Sequence, residues 1–201
     1  MNLLVIRHGQ SEADILNVNE GRADFSLTAL GETQAKLMAE WVSQKYSINK
    51  IFASPLKRAS QTAKILSERM GIDIVYDDDL MEFQNGLIAG MPFDEAQKKY
   101  PKPEIRYPHT LVYKMESDIQ FRMRAETALS KIINENPVDT FNVIVSHGGM
   151  INMLFRSFLE LPTNANISIS SGDTGIHHWK IDGINRRIVY INGQTHLSSI
   201  E

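Results

Sequence analysis

The chain has 201 residues, 42% of them hydrophobic and 22% charged, and we expect residues 1–201 to form one globular domain. The formal net charge of −3 argues against a nucleic-acid-binding protein, which would need a basic face. The absence of cysteine excludes disulfides, thiolate catalysis and cysteine-ligated zinc. The apolar run before Arg7 is too short for a signal peptide or a membrane span, so we expect a cytoplasmic protein without a membrane partner.

Short aliphatic runs alternate with helical patterns along the chain. The runs LLVI (3–6) and VIV (143–145) predict strands buried on both faces, and KIFAS (50–54) and IDIVY (72–76) predict weaker strands. Apolar residues at helical spacing predict helices over 28 to about 46, 56–70, 117–136 and 150–159. In the third helix we expect the inward-facing residues to be Ile119, Met123, Leu129, Ile132 and Ile133.

The end of the chain has a different pattern. GIHHWKID (175–182) and RRIVYING (186–193) flank a turn at 183–185 and predict a β-hairpin. Residues 86–116, with four prolines, fit neither period and predict an irregular surface segment. The fold class that follows is α/β: a three-layer α/β/α sandwich, mostly parallel, with an antiparallel hairpin at one edge of the sheet.

Two strands run directly into a His-Gly pair. LLVIRHG ends in His8 and VIVSHGG ends in His147, and ligands of such sheets bind beyond the carboxyl ends of the strands. The two histidines therefore face each other if their strands are neighbours. The glycine after each histidine, Gly9 or Gly148, lets the backbone turn and leaves an amide accessible to an anion.

Arginines near the same edge predict an anion site. Arg7 adjoins His8, and Arg58 lies in the first turn of the helix that follows IFAS, whereas we interpret Lys57 as a surface charge. Cationic neighbours favour an uncharged imidazole, which leaves a ring nitrogen free to attack phosphorus. Glu82, after an apolar pair, is the candidate general acid, and the three aspartates before it are interpreted as a solvated loop.

Six segments resemble the motifs of the histidine phosphatase superfamily, in its phosphoglycerate-mutase-like branch, over nearly the whole chain. They are RHGQSEAD, GRADFSLTALGETQA, SPLKRASQTA, LMEFQNG, VSHGG and NGQTHL, in that order. The resemblance implies that His8 is a nucleophile carried through a phosphohistidine, and that Glu82 is the proton donor. It also implies that Arg7, Arg58 and His147 hold the phosphoryl group, that Gly21, Arg22 and Gly148 contribute to substrate binding, and that neither a metal nor a cofactor is needed.

The family includes phosphatases and mutases. The chain is compact between the acid motif and the second histidine, and its motifs resemble the phosphatase versions, so we favour hydrolysis of a small phosphorylated metabolite. A cofactor-dependent phosphoglycerate mutase is the alternative, and a non-catalytic regulatory member is a second one. Both a monomer and a homodimer remain open.

Other histidines and charged residues have weaker assignments. His177 and His178 point to opposite faces of a strand, so they do not chelate one metal together, although either could line the pocket. His109 and His196 are interpreted as structural or exposed. Within 86–116, basic and tyrosine residues predict either a basic, aromatic wall for an acidic substrate or, preferably, a solvated surface; they are Lys98, Lys99, Lys102, Arg106, Lys114, Tyr100, Tyr107 and Tyr113.

Asp14 departs from the resemblance, because relatives usually carry an asparagine at this spacing. An ionised aspartate cannot donate a hydrogen bond to a phosphate and would repel it. Three alternatives follow: Asp14 is turned away from the phosphate, Asn17 supplies the amide, or Asp14 pairs with Arg22 and orients it toward substrate. The third is preferred.

Overall fold

The computed structural model describes residues 1–105, 107–198 and 200. Its aliphatic runs form a six-stranded sheet in the order β3-β2-β4-β1-β5-β6. The strands are β1 (Asn2–Arg7), β2 (Lys50–Ala53), β3 (Ile74–Tyr76), β4 (Phe141–Ser146), β5 (Ile176–Asp182) and β6 (Asn185–Gly193). The first four in this order are parallel, and β5 and β6 form the antiparallel hairpin at one edge. The expected fold class is confirmed.

Helices cover both faces of the sheet. They are α1 (Glu12–Leu16), α2 (Ala29–Lys45), α3 (Lys57–Met70), α4 (Phe93–Lys99), α5 (Asp118–Asn134) and α6 (Gly148–Phe158). The four expected helices are confirmed with ends within two residues of those expected. Their boundaries follow local chemistry: the Thr28 hydroxyl accepts a hydrogen bond from Gly31 N at 3.0 Å, and Gly71 ends α3 with a left-handed φ of 69°.

Successive side chains of β1 point to opposite faces of the sheet, and the core has one layer on each face. Leu3 and Val5 pack with α5 and α6, whereas Leu4 and Ile6 pack with α2 and α3 on the other face. All four side chains are fully buried, as a central strand covered on both faces requires.

The phase expected for α5 is partly wrong. Ile119 and Met123 are exposed, while Leu129 and Ile132 are buried as expected. The buried stripe instead begins at Phe121 and continues through Ala125 and Ala128. Ala125 and Ala128 carry little hydropathy signal, so an apolar pattern does not locate this part of the buried face.

The expectation that residues 86–116 are irregular is wrong at one place, because α4 lies within them. Ala96 is the buried residue of α4, so the helix has no apolar stripe that a periodicity search would detect. Lys98, Lys99, Lys102 and Lys114 are exposed, as the solvated-surface interpretation requires, and Arg106 lies outside the described residues.

No helix within the described ranges combines the length and the apolar character needed to cross a lipid bilayer.

The loop after β1 passes very close to the start of α2. A Cβ added at Gly31 would lie 2.0 Å from the backbone oxygen of Gln10, and one added at Gly9 would lie 2.5 Å from the backbone oxygen of Gly31. This approach fixes the path of the chain immediately after His8.

We predict that Gly31→Ala lowers the free energy of unfolding by about 2 kcal/mol, because the new methyl group overlaps a backbone carbonyl. Urea unfolding of the variant and the unmodified protein measures the difference. Gly148→Ala is the matched control, since a Cβ there meets nothing within 4 Å, and its effect should stay within about 0.5 kcal/mol. Equal losses in the two variants would contradict the prediction.

Candidate active site

The two strand-end histidines meet at the carboxyl edge of the sheet. Arg7 of β1 is in register with Ser146 of β4, and the next residues are His8 and His147. Their ring centroids are 5.1 Å apart, and both residues are buried. The expectation that these histidines would face each other from neighbouring strands is confirmed.

The surroundings of His8 select one tautomer. Its Nδ1 lies 2.7 Å from the carbonyl oxygen of Gly9, and because a carbonyl only accepts, Nδ1 carries the proton. The lone pair is then on Nε2, which accepts a hydrogen bond from Arg58 Nε at 3.2 Å. The nitrogen that is free to attack an electrophile therefore faces the buried guanidinium group.

Both histidines are held in the neutral form. Burial, followed by the charges of Arg58 and Arg7, lowers the pKa of His8 well below its usual value. Burial likewise lowers the pKa of His147, and Arg58 and His8 add to the effect. At neutral pH the site therefore has two uncharged imidazoles beside fixed positive charges.

Arg58 is completely buried at the start of α3. Its Nη2 donates to the carbonyl oxygen of Gly21 at 2.8 Å and its Nη1 to that of Ala23 at 3.1 Å. Gly21 has a left-handed φ of 47°, and a Cβ there would lie 2.0 Å from Asn85 Cγ, so this position needs glycine. The carbonyl of Gly21 thus orients Arg58 toward His8.

Arg7 and His147 each have an unused polar nitrogen. Arg7 donates through Nη1 to the carbonyl of Ser171 at 2.7 Å, and its Nη2 lies 3.6 Å from an Asp173 carboxylate oxygen. His147 Nε2 contacts Ser54 Oγ at 2.8 Å. Within the described residues, Arg7 Nε and His147 Nδ1 are buried without a hydrogen-bond partner. Both nitrogens are therefore available to donate to or accept from a further group in the site.

The amino terminus of α6 lies at the same site. His147 is its N-cap residue, and Gly148 is its first residue, whose carbonyl accepts from Asn152 Nδ2 at 2.9 Å. The partial positive charge at a helix amino terminus favours an anion.

Glu82 is held next to α6 by two backbone amides. Its Oε1 accepts from Phe83 N at 2.7 Å, and its Oε2 accepts from Gly149 N at 2.8 Å. Since Gly149 is two residues beyond His147, this bond brings the carboxyl group to the histidine pair.

Arg124 of α5 fixes the segment that carries Glu82. Its guanidinium group donates to the carbonyl oxygens of Asp79, Met81 and Glu82 at 2.9, 2.9 and 3.2 Å. It also forms two hydrogen bonds, of 3.0 and 2.7 Å, with the Glu116 carboxylate. The backbone of Glu82 is therefore anchored from the opposite side of the site.

Glu116 also closes the surface segment at its base. Gln84 N donates to Glu116 Oε1 at 2.6 Å, and Glu116 N donates to the carbonyl of Gln84 at 2.9 Å. Residues 85–115 thus leave and rejoin the domain at one bridge. Asn19 connects this segment to the loop beside Arg58, because its backbone N donates to the carbonyl oxygen of Met91 at 2.9 Å.

The preferred interpretation of Asp14 is wrong. Asp14 Oδ2 accepts from the backbone N and Oγ of Ser11, at 2.8 and 3.1 Å, while Arg22 Nε donates to the carbonyl of Glu82 at 3.3 Å. Asn17 is exposed and ends α1 with a left-handed φ of 54°. The structure supports the first alternative, in which Asp14 is turned toward its own helix terminus.

Sequence reasoning missed Glu20, one residue before Gly21. Its Oε2 lies 3.0 Å from Arg58 Nε and 3.8 Å from His8 Nε2, and its other oxygen accepts from Ser11 Oγ. Its position in a loop gave no periodic signal. Ser54 could have been found, because it directly follows β2 at the same sheet edge.

The remaining histidines have structural partners. His177 is buried and contacts Ser171 Oγ at 2.7 Å, His178 contacts Asn2 Oδ1 at 3.0 Å, and His196 contacts Thr174 Oγ1 at 2.8 Å. Over the ranges 1–105, 107–198 and residue 200, no three His, Asp or Glu side chains are placed to hold a metal ion together.

Known proteins are similar to this chain in sequence and in fold. The family model of the histidine phosphatase superfamily (branch 1) matches residues 3–194. The uncharacterized phosphatase PhoE of Bacillus subtilis is 31% identical over 90% of this chain and 92% of its own. The probable phosphoglycerate mutase GpmB of Photorhabdus laumondii is 30% identical over 91% of this chain and 89% of its own.

A solved structure agrees with these sequence relatives. The mycobacterial glucosyl-3-phosphoglycerate phosphatase, in complex with VO3, superimposes with a TM-score of 0.82 at 26% identity, covering 96% of this chain and 98% of that chain. The chain therefore belongs to the histidine phosphatase superfamily.

Proposed function

We propose that the protein hydrolyses a small phosphorylated metabolite through a phosphohistidine intermediate on His8. The observation that carries this proposal is the His8 ring itself, with its proton on Nδ1 toward Gly9 and its Nε2 lone pair toward the buried Arg58. A neutral imidazole with a fixed tautomer is a nucleophile that needs no separate base.

In the first step, His8 Nε2 attacks phosphorus and the bond between phosphorus and the ester oxygen breaks. The Gly9 carbonyl, 2.7 Å from Nδ1, stabilises the positive charge that develops on the ring. Arg7, Arg58 and His147 then donate to the oxygens of the transferring group, where preorganised donors lower the barrier most.

Glu82 supplies the proton. Its carboxyl group protonates the departing ester oxygen in the first step and, as a carboxylate, takes a proton from water in the second. Water attacks phosphorus, the bond to Nε2 breaks, and the products are inorganic phosphate and neutral His8. The two backbone amides on Glu82 keep its carboxyl group oriented through both steps.

Two observations favour water over an organic acceptor. Only residues 83–117 lie between Glu82 and α5. A relative that covers nine-tenths of this chain is named a phosphatase. Phosphoglycerate mutase activity is the second candidate, because a relative of similar identity is named a probable phosphoglycerate mutase.

We predict that His8→Ala lowers the rate of aryl phosphate hydrolysis by at least about 1,000-fold and abolishes incorporation of labelled phosphate into the protein. Steady-state assays and acid-labile labelling measure these effects. His109→Ala, at an exposed ring stacked on Tyr107, is the matched control and should retain full activity. Unchanged turnover in His8→Ala would exclude the proposed nucleophile.

Glu82→Gln tests the proton donor. We predict that kcat falls by about 100-fold or more with an alkyl phosphate, whose leaving group needs a proton, and by much less with p-nitrophenyl phosphate. Measuring both substrates on the same preparation separates loss of the acid from misfolding. An equal decrease for the two leaving groups would contradict the assigned role.

A comparison of two reactions separates hydrolysis from mutase activity. Incubation with an aryl phosphate should release inorganic phosphate, whereas 3-phosphoglycerate with 2,3-bisphosphoglycerate should give little isomerisation. Phosphate release and product ratios measure the two reactions. Fast isomerisation with negligible phosphate release would establish the mutase instead.

A further inference from the structure

The Glu20 carboxyl group lies inside the anion site. Its Oε2 is 3.0 Å from Arg58 Nε and 3.8 Å from His8 Nε2. Attack by Nε2 requires phosphorus at roughly 3 Å, with its oxygens within hydrogen-bond reach of the guanidinium group. Oε2 therefore competes with a phosphoryl oxygen for the Arg58 guanidinium group.

The charges around Glu20 do not accommodate a second anion. Arg58 and Arg7 are the cations that act on its carboxyl group, and Asp14 opposes them. These two arginines balance a phosphoryl dianion, so an ionised Glu20 would add an uncompensated negative charge in a buried site. Two anions that share such a site cannot both remain ionised at low cost.

Ser11 provides a second, geometric argument. Its single hydroxyl oxygen is within hydrogen-bond distance of Glu20 Oε1 and of Asp14 Oδ2. A hydroxyl has one hydrogen, which can satisfy one of these two carboxyl groups. A proton on Glu20 satisfies both contacts, because Ser11 Oγ then accepts from Glu20 while it donates to Asp14.

The titration of Glu20 agrees with the geometry. Burial raises the pKa of the Glu20 carboxyl, and the neighbouring Asp14 adds to this, whereas Arg58, the Ser11 hydroxyl and Arg7 oppose it. The neutral ring of His8, the other titratable group facing Glu20, contributes no charge at neutral pH.

Building on the proposed phosphohistidine chemistry, we propose that the phosphoryl group binds in this site only when Glu20 is protonated. A proton is taken up from solvent onto Oε1, its O–H donates to Ser11 Oγ, and the uncharged Oε2 no longer competes with the phosphoryl group for Arg58. Binding of phosphate is therefore coupled to protonation of this one side chain.

Glu20→Gln tests the proposal, because glutamine has the same shape and donates a hydrogen bond without a charge. The probe is inorganic phosphate, and the measurement is its dissociation constant by calorimetry at two pH values. At about pH 8 the variant should bind phosphate at least about tenfold more tightly than the unmodified protein. At about pH 5, where more of Glu20 is protonated, the difference between the two affinities should be clearly smaller than at about pH 8.

The ratio of the two dissociation constants at each pH is independent of the titration of phosphate, because phosphate titrates equally in both experiments. Glu12→Gln, at an exposed residue of α1, removes one negative charge outside the site and should match the unmodified protein at both pH values. Weaker or equal binding by Glu20→Gln at about pH 8 would overturn the proposal. A ratio that does not change with pH would also overturn it, because Glu20 would then be displaced rather than protonated.

A measurement on the unmodified protein does not depend on how the variant folds. Calorimetry in two buffers of different ionisation enthalpy should show more proton uptake on phosphate binding by the unmodified protein than by Glu20→Gln. These binding experiments do not require turnover. If the ratio of dissociation constants depends on pH as expected but the protein hydrolyses no phosphate ester, the role of Glu20 is supported and the proposed function is refuted. If neither the unmodified protein nor Glu20→Gln binds phosphate, the proposed function and the proposed role of Glu20 are both overturned.

Discussion

Parallel pairing of β1 with β4 sets Arg7 opposite Ser146. In this register each of the two strands is followed by a histidine at the same position along the sheet edge. Everything else in the crevice is placed relative to that pair. Arg58 reaches it from α3, the Glu82 carboxyl group reaches it through Gly149, and the α6 terminus begins at it. A slip of one residue would turn His8 to the other face of the sheet and separate the two rings.

The site combines strong positive charge with neutral imidazoles. Burial makes a charged histidine costly, and the two arginines add repulsion, so the His8 imidazole stays unprotonated at neutral pH. The same burial raises the cost of any excess negative charge. The carboxyl groups of Glu20 and Glu82 are therefore placed on specific donors rather than left free in the crevice.

The parts that sequence could predict are those with strong periodic or strand-end signals. Aliphatic runs located β1 and β4, and the rule for parallel sheets then placed His8 and His147 at one edge. Short segments give no such signal: the pairing of Asp14 with Arg22 is wrong, because a pattern based on charge does not detect a hydrogen bond to Ser11 three residues away. In α5, Ala125 and Ala128 form part of the buried face, so apolar periodicity placed Ile119 and Met123 wrongly although it placed Leu129 and Ile132 correctly.

The two hydrogen bonds between Gln84 and Glu116 separate residues 85–115 from the part of the chain that positions Glu82. Arg124 holds Glu116 and the backbone of Glu82 together, while the 31 residues 85–115 between these anchors meet the loop beside Arg58 through Asn19. Insertions, deletions or exchanges between these anchors therefore leave intact the hydrogen bonds that hold the Glu82 backbone. The length and sequence of the segment can change while the position of Glu82 relative to the histidine pair stays the same.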